Sequence, residues 1–121
     1  TYTVVKAAFP LNLHSERVAC EIACGTIERP TVGKTEAERA KWEISAHHWA
    51  DLTDPTQNYG VSIFNDCKYG YDAGVNQLRL TLLRGSKWPD PHADRGKHQF
   101  AYAIYPHQGG WQNAKTVQRG Y

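Results

Sequence analysis

The sequence predicts an all-β protein, an antiparallel sandwich of short strands, and three observations support this. Runs in which apolar and polar residues alternate at period two outnumber helical patterns. Clusters of Gly, Pro, Asn and Asp separate those runs at short intervals, as turns between strands do. Hydrophobic residues make up 40% of the 121 residues, with four Trp, seven Tyr and three Phe, which argues for a packed core and against disorder. A chain of this length suits one domain, here residues 1–121, and such a domain buries roughly two-thirds of the surface its unfolded chain exposes.

The elements follow in chain order. Tyr2 to Phe9 is β-prone, and Pro10 confines it to an edge or an end, since proline cannot donate to a ladder. Arg17 to Ile27 reads as one extended run with Val18, Cys20 and Ile22 on one face. Glu28 to Lys34, with Pro30 and Gly33, reads as loop. Thr35 to Lys41 holds strong helix formers, and Thr35 with Glu38 three residues on forms a capping pattern. Trp42 to Ala50 begins with strand alternation, and Asp51 to Pro55 reads as a turn. Gly60 to Phe64 and Gln77 to Leu82 read as the two strands of a central hairpin, with Asn65 to Gly74 as an ordered surface loop between them. Gly85 to Gly96 is dense in turn formers and reads as a long loop. Gln99 to Tyr105 is the last strand, ending at Pro106, and the tail from Gln108 is expected to be loop followed by a helical turn.

Charge and cysteine content exclude several functions. A formal net charge of +2, with Lys and Arg scattered, argues against a nucleic-acid partner and against a membrane surface. No apolar stretch is long enough to span a bilayer. The odd cysteine count, with Cys20 and Cys24 too far apart on one strand to bridge, predicts three free thiols in a reducing, cytoplasmic setting. The absence of Met, together with an end at Gly120-Tyr121 that lacks a turn or cap, reads as a fragment of a longer chain, and Thr1-Tyr2-Thr3 is not a signal peptide.

Six histidines invite a zinc site. However, they lack the paired spacing of a closed site, and the adjacent His47 and His48 point to opposite faces of an extended segment. Cys67, between Asp66 and Lys68, lacks a His partner for nucleophilic work and reads as a small loop residue. Glu28, Glu43, Asp51, Asp66 and Asp72 offer no spacing that selects a catalytic pair. Trp42 and Trp49 lie on strand-like segments and are expected to be buried, whereas Trp88 is expected to be exposed. Arg29-Pro30 reads as a fixed loop anchored by a salt bridge.

The loop after Phe64 differs from these. Asn65, Asp66, Lys68 and Tyr69 combine an amide, a carboxylate, an ammonium and a ring, groups that hydrogen-bond sugar hydroxyls and cover the apolar face of a pyranose. They are the candidate substrate-binding residues. The structural alternative is that Asp66 and Lys68 hold the turn.

Arg29-Pro30, His48-Trp49-Ala50-Asp51-Leu52, Asn65-Asp66-Cys67-Lys68-Tyr69-Gly70, Leu80-Thr81-Leu82-Leu83-Arg84 and Tyr105-Pro106-His107 occur in that order. From about Val18 onward the chain resembles the C-terminal β domain of family 38 glycoside hydrolases, the class II α-mannosidases, in their cytosolic, vacuolar and bacterial branch. The resemblance implies part of a large sandwich similar to that of galactose mutarotase. It also implies that the aspartate nucleophile, the acid/base and the zinc ion belong to an N-terminal catalytic domain of the same protein, which is absent from this chain. The whole enzyme is then expected to hydrolyse α-linked mannosides with retention. This chain supplies scaffold and a domain interface and can form part of the rim of the sugar pocket, without catalytic residues or a metal of its own. The competing readings are a free-standing carbohydrate-binding module and a purely structural interaction domain.

Overall fold

The fold is seen in a computed structural model that describes residues 3–121; Tyr2, the expected start of the first strand, lies outside the described residues. In chain order the elements are β1 (Thr3–Pro10), β2 (Arg17–Ile22), β3 (Gly25–Pro30), α1 (Glu36–Ala40), β4 (Glu43–Ser45), β5 (Trp49–Asp54), β6 (Tyr59–Asn65), β7 (Gly70–Gly74), β8 (Gln77–Gly85), β9 (Tyr102–Gln108) and α2 (Thr116–Gly120). Every strand pairing is antiparallel. They form a four-stranded sheet, β1-β8-β7-β4, and a five-stranded sheet, β3-β2-β5-β6-β9. The predicted all-β sandwich is therefore what forms.

The core lies between the sheets and follows strand alternation. Val18 and Cys20 of β2, Ala50 and Leu52 of β5, and Val61 and Ile63 of β6 meet Tyr71, Leu78 and Leu80 from the other sheet. Fully burying each aliphatic side chain contributes about 1.5–3 kcal/mol. Burial pushes the Cys20 thiol up to about 12, so it behaves as a small apolar residue. All three cysteines are unpaired. The capping pattern on α1 is present, with Glu38 N donating to Thr35 Oγ1 at 3.2 Å and Thr35 N donating to Glu38 Oε2 at 3.2 Å.

Several expected boundaries change. The central hairpin does not exist: β6 pairs with β5 and β9, while β8 pairs with β1 and β7 in the other sheet. The segment between them crosses from sheet to sheet, and much of it is strand. Tyr71, 1% exposed, points into the core from β7, whose alternation was hidden between two glycines. The actual hairpin is β7 with β8, turning at Val75-Asn76, and the free loop shrinks to residues 66–69.

The run from Arg17 to Ile27 is a β2–β3 hairpin, folded at Cys24 with φ of 60°. A non-glycine residue in that region is uncommon, so no turn signal marked it. Arg29 accordingly sits in β3 and donates from Nη1 to Ser45 O at 2.7 Å, in place of a salt bridge. Asp51 to Asp54 is buried strand, not turn. β9 continues through Pro106, which an edge strand tolerates. Trp49 is fully buried as expected, but Trp42 is 54% exposed, its ring facing Lys6 Nζ and Arg79 on the outside of the four-stranded sheet. Trp88 is 81% exposed, as expected.

Candidate functional site

At one end of the sandwich β6 terminates in Asn65, which is buried and spends its whole amide on the protein. Its Nδ2 donates to His47 O at 3.0 Å and to the Tyr71 hydroxyl, and its Oδ1 accepts from Lys68 N at 2.5 Å. Asn65 therefore shapes the loop that follows it. Burial raises the Tyr71 phenol above its ordinary range, which keeps it a neutral partner in this network.

The next residues face outward. Asp66 is tied to the residue that precedes β9: its N donates to Ala101 O at 3.2 Å and its Oδ1 accepts from Ala101 N at 3.1 Å. The Cys67 thiol and the Ala101 amide, both donating to Asp66, hold its carboxyl below the usual carboxylate range, and the Cys67 thiol is raised by the same bond. Cys67 thus stays a thiol, the wrong state for a nucleophile. Lys68 Nζ lies 4.9 Å above the Phe100 ring. Tyr69 is 57% exposed and meets His47 edge-on at 5.5 Å. Asp66, Lys68 and Tyr69 thus present an ionised acceptor, an ammonium and a ring from one short loop, fixed from below by Asn65.

Beside the loop runs a groove of about 430 Å³, lined by His48, Phe64, Asp66, Tyr102 and Tyr121 among others. Behind it Glu21 collects three donors: the Tyr121 hydroxyl on Oε1, and His48 N at 2.6 Å and His48 Nδ1 at 2.9 Å on Oε2. Burial pushes the Glu21 carboxyl up, but these bonds from Tyr121 and His48 outweigh it and hold it below the usual range. The reading of the sequence missed Glu21, Phe100, Ala101 and Tyr121. They lie apart from the loop in the chain: pairing of β2 with β5 and of β6 with β9 brings the first three there, and Tyr121 follows α2.

A second cleft, of about 490 Å³, opens on the outer face of the five-stranded sheet between Arg17, Glu28, Thr53 and Trp111, with Asp51 among the residues lining it. Both Asp51 oxygens are engaged by the protein. Oδ1 accepts from Thr53 Oγ1 at 2.6 Å, and Oδ2 meets Ser62 Oγ at 2.6 Å and His107 Nε2 at 2.5 Å. The other carboxylates are dispersed: Glu43 and Asp72 share Lys6 on the four-stranded sheet, and Glu28 pairs with Arg17 at 3.8 Å. Among the described residues no three His, Cys, Asp or Glu side chains converge into a group that would hold a metal, so the residues present do not fit a zinc site. The arrangement at the loop suits binding a hydroxylated ligand. It offers no opposed carboxylate pair.

Comparison with known proteins gives this geometry a context. The profile of the "Glycosyl hydrolases family 38 C-terminal domain" matches residues 1–92. The human protein Alpha-mannosidase 2C1 is 40% identical over 117 residues, 97% of this chain and 11% of its own length. Alpha-mannosidase of Saccharomyces cerevisiae is 45% identical over 105 residues, 87% of this chain and 10% of its own length. Alpha-mannosidase G of Dictyostelium discoideum is 45% identical over 101 residues, 84% of this chain and 9% of its own length. The crystal structure of an alpha-mannosidase from Enterococcus faecalis superposes with a TM-score of 0.82, covering 98% of this chain and 14% of that chain at 23% identity, a likeness of fold.

Proposed function

The chain belongs to the C-terminal domains of the family 38 glycoside hydrolases, and from that premise we propose that it is the C-terminal β-sandwich domain of an α-mannosidase hydrolysing α-linked mannosides with retention. The match of residues 1–92 to the family's domain profile carries this reading, supported by relatives 40–45% identical that bear the name alpha-mannosidase. The nucleophile, the acid/base and the zinc ion would belong to an N-terminal catalytic domain of the same polypeptide. Zinc would hold the sugar hydroxyls there, and this chain would contribute scaffold and a domain interface. Three unpaired thiols favour a reducing compartment, the cytoplasm.

Within that enzyme the loop from Asn65 to Tyr69 would border the mannoside pocket. Asn65 would set the loop's shape, while Asp66 and Lys68 would exchange hydrogen bonds with sugar hydroxyls and the exposed Tyr69 ring would cover an apolar sugar face. The natural open reading frame, if it encodes a zinc-binding catalytic domain upstream of Thr1, meets the first expectation; a frame starting at Thr1 would favour a free-standing carbohydrate-binding module. In the full-length enzyme, Asp66→Ala and Lys68→Ala are expected to lower kcat/KM by roughly tenfold to a few hundredfold with Tm nearly unchanged. A fall in Tm of several degrees with kcat/KM within about twofold would instead make the pair a turn clamp, holding Ala101 and Phe100.

A further inference from the structure

The cleft on the outer face of the five-stranded sheet has no part in the function proposed above, yet strand register builds it from polar side chains that point outward. Val18 and Cys20 turn to the core, so Arg17 and Ala19 on β2 point the other way. Pairing of β2 with β3 sets Glu28 beside Ala19, and pairing of β2 with β5 sets Asp51 on its other side. Thr53, two residues along β5, shares that face. All of these residues line the cleft of about 490 Å³. The sheet dips there because Ala19 carries only a methyl between the longer Glu28 and Asp51.

The groups at its edge are free to act. The Arg17 and Glu28 side chains are 65% and 50% exposed, and Arg17 Nη1 stands 3.8 Å from Glu28 Oε2. That is beyond hydrogen-bond distance, so the guanidinium keeps its donors and the carboxylate its acceptors for another partner. Thr53 Oγ1 gives its proton to Asp51 Oδ1 at 2.6 Å, which leaves the hydroxyl's lone pairs to accept. Trp111 adds a ring: it lines the cleft, half-buried, and rests on the buried Trp49 at 5.2 Å, which holds it in place. We propose that this cleft is a carbohydrate-binding site, separate from the Asn65 to Tyr69 loop, that takes a neutral pyranoside of one or two rings against Trp111. Arg17 donates to its hydroxyls, and Glu28 accepts from them.

The charge pattern selects this class. An anion drawn by Arg17 meets Glu16, Glu28 and the buried Asp51 along the same cleft. An ammonium drawn by Glu28 meets the guanidinium beside it. A metal ion finds no three converging His, Cys, Asp or Glu side chains among the described residues. A hydroxyl is donor and acceptor at once and uses both members of the Arg17–Glu28 pair, while the apolar face of a pyranose suits an indole. The volume falls within the range of ligand sites, about 300–1,000 Å³. The site shares no residue with the Asn65 to Tyr69 loop and does not depend on the α-mannosidase reading, so kinetics of the Asp66 and Lys68 variants do not bear on it.

The four tryptophans provide the test. In the ¹⁵N-labelled chain, the Trp111 indole resonance is identified by its loss in Trp111→Phe and followed during titration with an α-linked mannobiose and with cellobiose. It is expected to shift saturably with at least one of them while that of the exposed Trp88 stays put. Arg17→Ala and Glu28→Gln, both at exposed side chains, should each weaken binding about tenfold, the loss of a hydrogen bond to a charged group. Arg84→Ala, on the opposite sheet, should leave it unchanged. A Trp111 resonance unmoved by either sugar at about 100 mM, a hundredfold above a Kd of about 1 mM, would overturn the proposal. So would a response undiminished in both Arg17→Ala and Glu28→Gln. An equal response to sodium sulfate or to choline chloride would overturn the assignment to neutral ligands.

Discussion

The two outer faces of this sandwich carry the same kinds of residue, sealed from water on one and open toward its margin on the other, where Asp72 is buried but Arg84 and Glu43 are not. On the four-stranded sheet, Lys6 bridges Asp72 at 2.6 Å and Glu43 at 3.0 Å, Arg79 Nε meets Asp72 at 2.5 Å, and Arg84 meets Glu43 at 3.2 Å with side chains 62% and 37% exposed. On the five-stranded sheet, His107 and Asp51 pair at 2.5 Å with side chains only 2% and 1% exposed. The segment after β9 makes the difference. Trp111 packs on Trp49 at 5.2 Å, and Thr116 of α2 reaches Ser62 Oγ at 2.9 Å, sealing the second network from water. An exposed pair gains little because water screens it and both side chains lose freedom. A sealed pair is costly to break, because removing one partner strands the other without solvent.

The most direct way to break this contrast is Asp51→Ala, which leaves His107, Ser62 and Thr53 without their shared acceptor. The expected cost is about 3–5 kcal/mol in urea denaturation, and a loss below about 1 kcal/mol would mean that the sealed network contributes no more than a surface pair. Gly60→Ala tests the packing on the same network. A Cβ there would come within 2.6 Å of His107 Cε1 and 2.8 Å of Thr53 Oγ1, so a loss of about 1–3 kcal/mol is expected. Unchanged stability would show that His107 can shift without penalty.

A pH series sharpens the comparison further. Burial pushes the His107 imidazole down, but the hydrogen bond and charge of Asp51 outweigh it, and the net pKa lies above the ordinary histidine value. The stability it contributes is therefore fully present below the unfolded pKa of about 6.5 and is lost as pH rises through the raised folded value. Between about pH 6 and pH 9, Tm should fall more in the native chain than in His107→Gln; parallel curves would exclude the pair as their cause. The smallest effect belongs to the exposed face. Arg84→Ala should cost about 0–1 kcal/mol and less in high salt, and a larger loss would mean that the two faces do not differ as described.

These residues also separate what was readable in the chain from what was not. Period-two alternation in β1, β2, β6 and β8 marked the strands and the all-β class, because side-chain direction along a strand is a local property. The capping pair Thr35 and Glu38 located α1 for the same reason, and the ordered motifs from Arg29-Pro30 to Tyr105-Pro106-His107 carried the family. Pairing was not readable. Whether β6 joins β8 or β9 depends on which faces find apolar partners across the sandwich, and nothing within either strand records that choice. Asp51 to Asp54 looked like a turn because its charges suggested solvent, yet a cover 60 residues further along the chain turns the segment into a sealed strand. Asn65 looked like a ligand contact from its neighbours' composition, and only the positions of His47 O and the Tyr71 hydroxyl show it bonded to the protein. Sequence alone determined the class, the family and the strands whose alternation is clear. Tertiary structure decided which polar groups face water and which face each other, because burial is set by residues distant in the chain.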